Sequence, residues 1–318
     1  MRILITGVAG FIGFSLAHYL INKKKDFKVF GIDNYDDYYS IPLKKKRISV
    51  LSKNKNFSFS KIDITKNNNL KSYFKNKNFD IVFHFAAQAG VRHSLINPKK
   101  YINVNIYGFL NVINCIKDNK INKFIYASSS SVYGESKKFP LKEEGLTSPK
   151  NIYGYSKLIN EKIADYYSRI YNINSVGLRF FTVFGAWGRP DMFIIKLLTA
   201  NKNNKIFQLN NGGIHYRDFT SINDIVNILE KLCTKKIVKH SIFNICSNRP
   251  IFIKSLVQIL KKYKGKLNIK NISKNKADVF KTHGDNSKII KYLNLKKFSK
   301  FDVELKKTVD WFDSQNTL

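Results

Sequence analysis

The 318-residue sequence predicts an α/β fold, a doubly wound parallel sheet followed by a smaller α/β unit. Three observations predict it. Short, near-continuous apolar runs alternate with stretches of helical period from the first residues onward, the pattern of strands covered on both faces by crossover helices. A turn with three spaced glycines, Gly7, Gly10 and Gly13, separates the first apolar run from the first amphipathic stretch. The alternation then stops after Phe181, where Gly185, Gly188, Pro190, Gly212 and Gly213 mark a loop-rich region.

The elements follow in order. Strands are expected at Ile3–Thr6, Val29–Ile32 (ending in Asp33), Phe57–Ile62, Ile81–Phe85, Phe124–Ala127 and Ser175–Phe180. Helical period marks Phe11–Ile21, Tyr101–Ile116 and Tyr155–Ile170. Later, Val226–Leu232 and Ile242–Ile245 are expected to return to the first sheet, and Ser255–Tyr263 and Asp302–Phe312 to form amphipathic helices. This gives one domain of residues 1–180 with about 220–248, and a second of about 181–219 with 249–318. The basic run Lys44–Arg47 reads mainly as a solvated helix face, with adenosine contact as the lesser reading.

Composition narrows the function. At 43% hydrophobic and 14% aromatic the chain fills a sizeable core, which excludes disorder. No run of 18 apolar residues occurs, so no membrane span is expected. The first strand starts almost at the initiator Met, which predicts no targeting peptide. Cys115, Cys233 and Cys246 lie far apart without metal-ligand spacing and read as reduced thiols of a cytoplasmic protein. The net charge of +34 would suit a nucleic-acid binder, yet only eight of the 56 cations are Arg. The lysines are dispersed among Asn and Ile along the whole chain, as a compositional drift produces, and no basic stripe alternates with stacking aromatics. No nucleic-acid partner is expected, although the field favours an anionic substrate.

Three motifs carry chemistry. Glycines between a strand and a helix let backbone N–H groups approach a pyrophosphate, and an acid at the end of the second strand, Asp33, takes ribose hydroxyls and repels a 2′-phosphate. This is the Rossmann-type fingerprint, and it implies NAD rather than NADP. In Tyr153-Gly-Tyr-Ser-Lys157 the phenol and ammonium lie one helical turn apart, so the cation favours the phenolate. The run Ser128-Ser129-Ser130-Ser131-Val132-Tyr133-Gly134 directly follows a strand, where side chains face the ligand crevice of such sheets.

Together these motifs resemble the extended short-chain dehydrogenase/reductase family, the NAD-dependent epimerases and dehydratases. More narrowly, GIDNYDDYYSIPLKKKR, FHFAAQAGVRHSLINP, YASSSSVYG, LRFFTVFG, WGRPDM and RDFTSINDI resemble the UDP-glucuronate 4-epimerases. The resemblance is dense from Met1 to about Ile225 and looser beyond, through Asn244 and ADVFKTHGD. It implies that Gly7, Gly10, Phe11, Ile12 and Gly13 hold the pyrophosphate of NAD, that Asp33 and Asn34 bind its adenosine ribose, and that Asp63 and Ile64 flank the adenine. Ala86 and Ala87 line the nicotinamide side, and Asn105 shapes the neighbourhood of the active-site helix. Ser129, Tyr153 and Lys157 form the catalytic triad. Thr182, Arg189, Arg217 and Asp278 contact the UDP-sugar, with Ser130 and Ser131 beside its carboxylate. A homodimer is implied, through a bundle of Tyr101–Ile116 and Tyr155–Ile170 with their copies. Ala186 stands where the family commonly has Pro, and Ala277 where it commonly has Gly.

Rival activities differ in the residues before Val132-Tyr133-Gly134. Related 4,6-dehydratases carry an Asp-Glu pair there, and related UDP-glucuronate decarboxylases a Glu; this chain has Ser130 and Ser131. A 4-epimerase of another UDP-hexose remains the nearer alternative, and a non-catalytic NAD-binding protein on the same fold the more distant one. His84, inside an apolar strand, reads as a core residue. Arg92 and Arg179 fit either ligand contacts or structural pairs, and His93 has no assigned role. Trp187 is expected to pack the substrate loop, and Trp311 the last helix.

Overall fold

A computed structural model describes residues 1–274 and 278–315; Ala277 lies outside them. The elements run β1 (Arg2–Thr6), α1 (Phe11–Lys23), β2 (Lys28–Asp33), α2 (Ile41–Ser52), β3 (Phe57–Lys61), α3 (Asn67–Phe74), β4 (Ile81–His84), α4 (Pro98–Tyr101), a π-helical stretch (Ile102–Tyr107), α5 (Gly108–Asp118), β5 (Lys123–Ser129) and α6 (Ile152–Tyr171). They continue as β6 (Asn174–Phe180), β7 (Thr182–Phe184), α7 (Phe193–Lys202), β8 (Phe207–Asn210), β9 (Tyr216–Ser221), α8 (Ile222–Thr234), β10 (His240–Ile245), β11 (Pro250–Phe252), α9 (Ile253–Lys264), β12 (Ile269–Ile272), α10 (Ser287–Leu293) and α11 (Phe301–Asp313).

Seven parallel strands form the main sheet in the order β3-β2-β1-β4-β5-β6-β10. Alternate residues of β1 serve opposite faces: Ile3 and Ile5 join a core with α1, α2 and α8, while Leu4 joins one with α3, α5 and Ala164 of α6. The strand order reverses between β1 and β4, so the loops after these two strands open a crevice at their carboxyl ends. Val226–Leu232 lies in α8, which covers this sheet, and Ile242–Ile245 in β10, which extends it.

The later segments build two small sheets, β11-β9-β7 and β12-β8. A separate core of α7, α9 and α11 with Phe184, Phe207 and Phe219 sits beside them. One segment departs from the sequence boundaries. Ile289, Leu293 and Phe298 pack into the main-sheet core, not with α9 and α11. Asn286 anchors them by donating to the Cys246 carbonyl at the end of β10, at 2.9 Å. Among the described residues no helix is long and apolar enough to cross a membrane, and no group of three or more His, Cys, Asp or Glu could hold a metal.

Candidate active site

The crevice is a cleft of about 680 Å³ between the main sheet and the later segments. At one end the chain turns from β1 into α1. Gly7 has φ +71°, and a Cβ there would lie 2.6 Å from the Ala86 nitrogen; a Cβ on Gly13 would lie 2.4 Å from the Gly7 carbonyl oxygen. No side chain caps α1, so its first N–H groups stand open to a ligand. At the end of β2, Asp33 accepts from the backbone N–H groups of Ala9 (3.1 Å) and Tyr35 (2.8 Å). Burial nevertheless raises its pKa.

This end has the form of a dinucleotide cradle. Side chains are absent where the backbone must come close, donors stand open at a helix N-terminus, and a carboxylate waits at the next strand. Phe11, Ile12, Asn34, Ile64, Ala86 and Ala87 also line it. Two expected residues do not. Asp63 stands behind Asn34, which donates to it at 3.2 Å. Asn105, in the π-helical stretch, is buried and clamps Gln88: it accepts from Gln88 N (2.7 Å) and donates to Gln88 O (3.1 Å) and Ser156 Oγ (3.0 Å). It shapes the wall without facing the cleft.

The serine run forms the end of β5 and a 3₁₀ turn, Ser130–Val132. Ser129 Oγ accepts from the Ser131 N–H and donates to Ser131 Oγ, each at 3.1 Å, and Ser129 and Tyr153 line the same cleft. Tyr153 lies in the first turn of α6, which Asn151 caps by accepting from Gly154 N at 2.9 Å. Its ring packs edge-on to Tyr101 at 6.2 Å between centroids. Burial raises the phenol pKa, opposed by the Ser129 hydrogen bond and the Arg189 charge. Lys157 is buried, donates to the Ala127 carbonyl at 2.9 Å and has its pKa lowered to about 8 by burial. Lys157 lies one helical turn from the phenol, as the motif predicts, and Arg189, from a distant loop, adds a second charge that lowers the phenol pKa.

Ser130, Ser131, Thr182, Arg189, Arg217 and Asp278 all line the same cleft. Arg189 is held by Asp191 at 2.9 and 2.5 Å, and Asp191 accepts from Tyr38 OH at 3.2 Å. Asp278 joins Arg92 (2.6 Å) and Asn210 (2.7 Å) across the mouth. Arg217 donates to the Tyr216 carbonyl at 2.7 Å, and burial lowers its pKa. Arg92, which also lines the cleft, pairs with Asp278, and the buried Arg179 pairs with Glu161. His84 is a core residue, bonded to Thr6 Oγ1 at 2.7 Å, its pKa driven down to about 3 by burial and by Lys157. His93 packs against Tyr38.

The basic run of α2 is the main correction. Lys44 and Arg47 are buried. Lys44 donates to the Asp36 carbonyl, and Arg47 to Ala9 O (2.8 Å), Tyr39 OH (2.9 Å) and Trp187 O (2.5 Å). The loop between β2 and α2 and the Trp187 loop fold over this face and cover it. Lys44 also lines the cleft, and Tyr38, Gln88, Lys196 and His215 line it without having been singled out by the sequence. Each sits in a loop or an ordinary helix, where no local pattern marks it.

Comparison with known proteins agrees with this geometry. The family model described as the NAD dependent epimerase/dehydratase family matches residues 3–246. An uncharacterized protein of Methanocaldococcus jannaschii is 40% identical over 98% of this chain and 96% of its own. UDP-glucuronate 4-epimerase 4 of Arabidopsis thaliana is 38% identical over 98% of this chain and 75% of its own. The crystal structure of UDP-glucuronic acid 4-epimerase from Bacillus cereus, in complex with UDP-glucuronic acid and NAD, superposes with a TM-score of 0.92 at 31% identity, covering 98% of this chain and 99% of that one. The chain belongs to the NAD-dependent epimerase/dehydratase family.

Proposed function

We propose that this chain is an NAD-dependent 4-epimerase that interconverts UDP-glucuronate and UDP-galacturonate through a 4-keto sugar. The observation that carries the reading is that Ser129 and Tyr153 line one cleft, where a dinucleotide cradle meets a wall of hydroxyls and arginines. The curated relatives and solved structures that name this activity and these ligands support it.

NAD would be held by the glycine turn, the open N-terminus of α1 and Asp33, and it supplies a reversible two-electron acceptor for sugar carbon C4. Tyr153 removes the C4 hydroxyl proton and returns it after the sugar has turned over. Ser129 donates to the phenolate that takes up this proton, while Arg189 and Lys157 offset its charge. Ser130, Ser131 and Thr182 offer hydroxyl donors for the C6 carboxylate, and Arg217 offers charge to the diphosphate. No acidic residue lies among Ser129, Ser130 and Ser131, so nothing in the turn is set to remove a C5 proton.

Three further points belong to this reading. Residues 1–180 with 220–248 form the cofactor domain, together with α10, and the remainder forms the sugar domain. The three cysteines are free and buried, in keeping with a reducing compartment such as the cytoplasm. The active form is a homodimer through α6 and the α4–α5 helix.

Incubation of the purified protein with UDP-glucuronate, followed by proton NMR, tests the proposal. UDP-galacturonate should appear until the two sugars equilibrate. Unchanged substrate, or conversion to a UDP-pentose as the main product, overturns it.

A further inference from the structure

Behind the hydroxyl pair lies a buried ion pair that the mechanism above does not use. Glu161 follows Tyr153 and Lys157 in α6 at spacings that keep all three on one helix face. Arg179 lies on β6 opposite Ser128 in the sheet register. The two charges meet at 2.9 Å (Nε to Oε1) and 2.8 Å (Nη2 to Oε2), each residue only 4% exposed.

Stability alone is a poor reason for such a pair. Its desolvation can cancel its attraction, and well-packed apolar residues in the same place are often neutral or stabilising. Its hydrogen bonds show what it does achieve. Ser128, the residue before Ser129, donates to Glu161 Oε1 at 2.5 Å. Arg179 Nη1 donates to the hydroxyl of Tyr133 at 2.9 Å, just beyond the turn. The segment carrying Ser129 is thus pinned at both ends by one ion pair, and one member of that pair belongs to the helix carrying Tyr153.

We infer that Glu161 and Arg179 are positioning residues for proton transfer: they set the spacing between the Ser129 hydroxyl and the Tyr153 phenol by locking the serine turn to α6. The inference rests on the assignment of Ser129 and Tyr153 as the proton relay. A slack of a fraction of an ångström there slows the chemical step more than it weakens sugar binding, because Thr182, Arg189, Arg217 and Asp278 line the cleft from outside the turn.

A double-mutant cycle on the full-length protein with NAD tests it, using Glu161→Gln, Ser129→Ala and the pair. Glu161→Gln should lower kcat by about 10- to 100-fold and move KM by less than about 3-fold. In the Ser129→Ala background the same substitution should cost less than about 2-fold, because the contact it positions is already gone. If Glu161→Gln does not fold, Ser128→Ala, which removes only the link to the strand, takes its place in the same cycle with the same pattern expected. A loss that multiplies in full in the Ser129→Ala background, or an unchanged kcat in the folded single variant, overturns the inference. An unchanged kcat in Ser129→Ala alone overturns the relay assignment first, and the inference with it.

Discussion

Tyr153 is a poor base where it stands. A phenol titrates near 10 in water, and burial raises this one further. Only its deprotonated form accepts a proton, so whatever raises the pKa moves activity to higher pH. Arg189 opposes that rise, so Arg189→Met should shift the acidic limb of the kcat–pH profile upward; an unmoved limb would show that its charge is not felt at the phenol. Tyr153→Phe should abolish turnover with the fold intact by circular dichroism, and Ser129→Ala should slow it by about 10²–10⁴-fold. The hydroxyls of Ser131 and Thr182 carry a different expectation. Oxidation at C4 makes a β-keto acid, which loses carbon dioxide unless its carboxylate is held. Thr182→Ala should therefore weaken transition-state binding by about 1.5–3 kcal/mol and release more carbon dioxide per turnover, measured with carboxyl-labelled substrate. These hydroxyls were legible because they fall in recognisable runs. Lys157 was legible from its helical spacing and Arg189 as a cleft residue, but the effect of Arg189 on the phenol was not, because it comes from a loop whose path no local pattern encodes.

Most strands and helices of the main sheet were legible for a physical reason: each is long enough to repeat its period, whereas α3, eight residues with no side-chain cap and two buried positions, was not marked. Two other elements show where that stops. α10 has seven residues, and its apolar pair, Ile289 and Leu293, fits either core equally well. In α2 the Lys44–Arg47 run has the composition of a wet surface, yet two of its members are sealed by loops on either side. The same limit hides Asp218 of β9. Its fully buried carboxylate accepts from Ser247 N (3.0 Å) and Gly284 N (3.2 Å), tying β9 to the segment behind Asp278. Burial raises its pKa from 3.8 to about 6. Between those values the folded state holds a proton that the unfolded state has released, so its contribution is fully present below about 3.8 and is lost as pH rises through about 6. The loss amounts to roughly 3 kcal/mol at most. Asp218→Asn should flatten this part of the stability curve between pH 4 and 6 in urea titrations; parallel curves for the two proteins would reject the assignment.

At the scale of the whole molecule, the exposed surface of the described residues carries an ordered apolar feature on two neighbouring helices. Along α6, Tyr155, Ile159, Tyr166 and Ile170 are 49%, 38%, 48% and 56% exposed, at spacings that keep them on one face. Ile102 and Tyr107, each 50% exposed, extend the feature on the adjoining helix. The sequence marks five apolar positions of α6 as surplus to the sheet, and the structure divides them. Leu158 and Ile163 turn inward against the cores, while Ile159, Tyr166 and Ile170 stay outside. An outward stripe on a pair of helices is self-complementary: a two-fold axis along it makes a four-helix bundle in which each apolar row meets its copy. Light scattering at micromolar concentration should then give a mass near twice 36.9 kDa. Replacing Ile159 and Ile170 by Glu would set like charges of the two copies against each other in a dry contact, and should weaken association by at least about 100-fold. The variant should elute as a monomer with its circular dichroism spectrum retained. A wild-type monomer under these conditions would reject the dimer. A double-Glu variant that stays dimeric would move the interface elsewhere, and leave the stripe on α6 without a partner of its own kind.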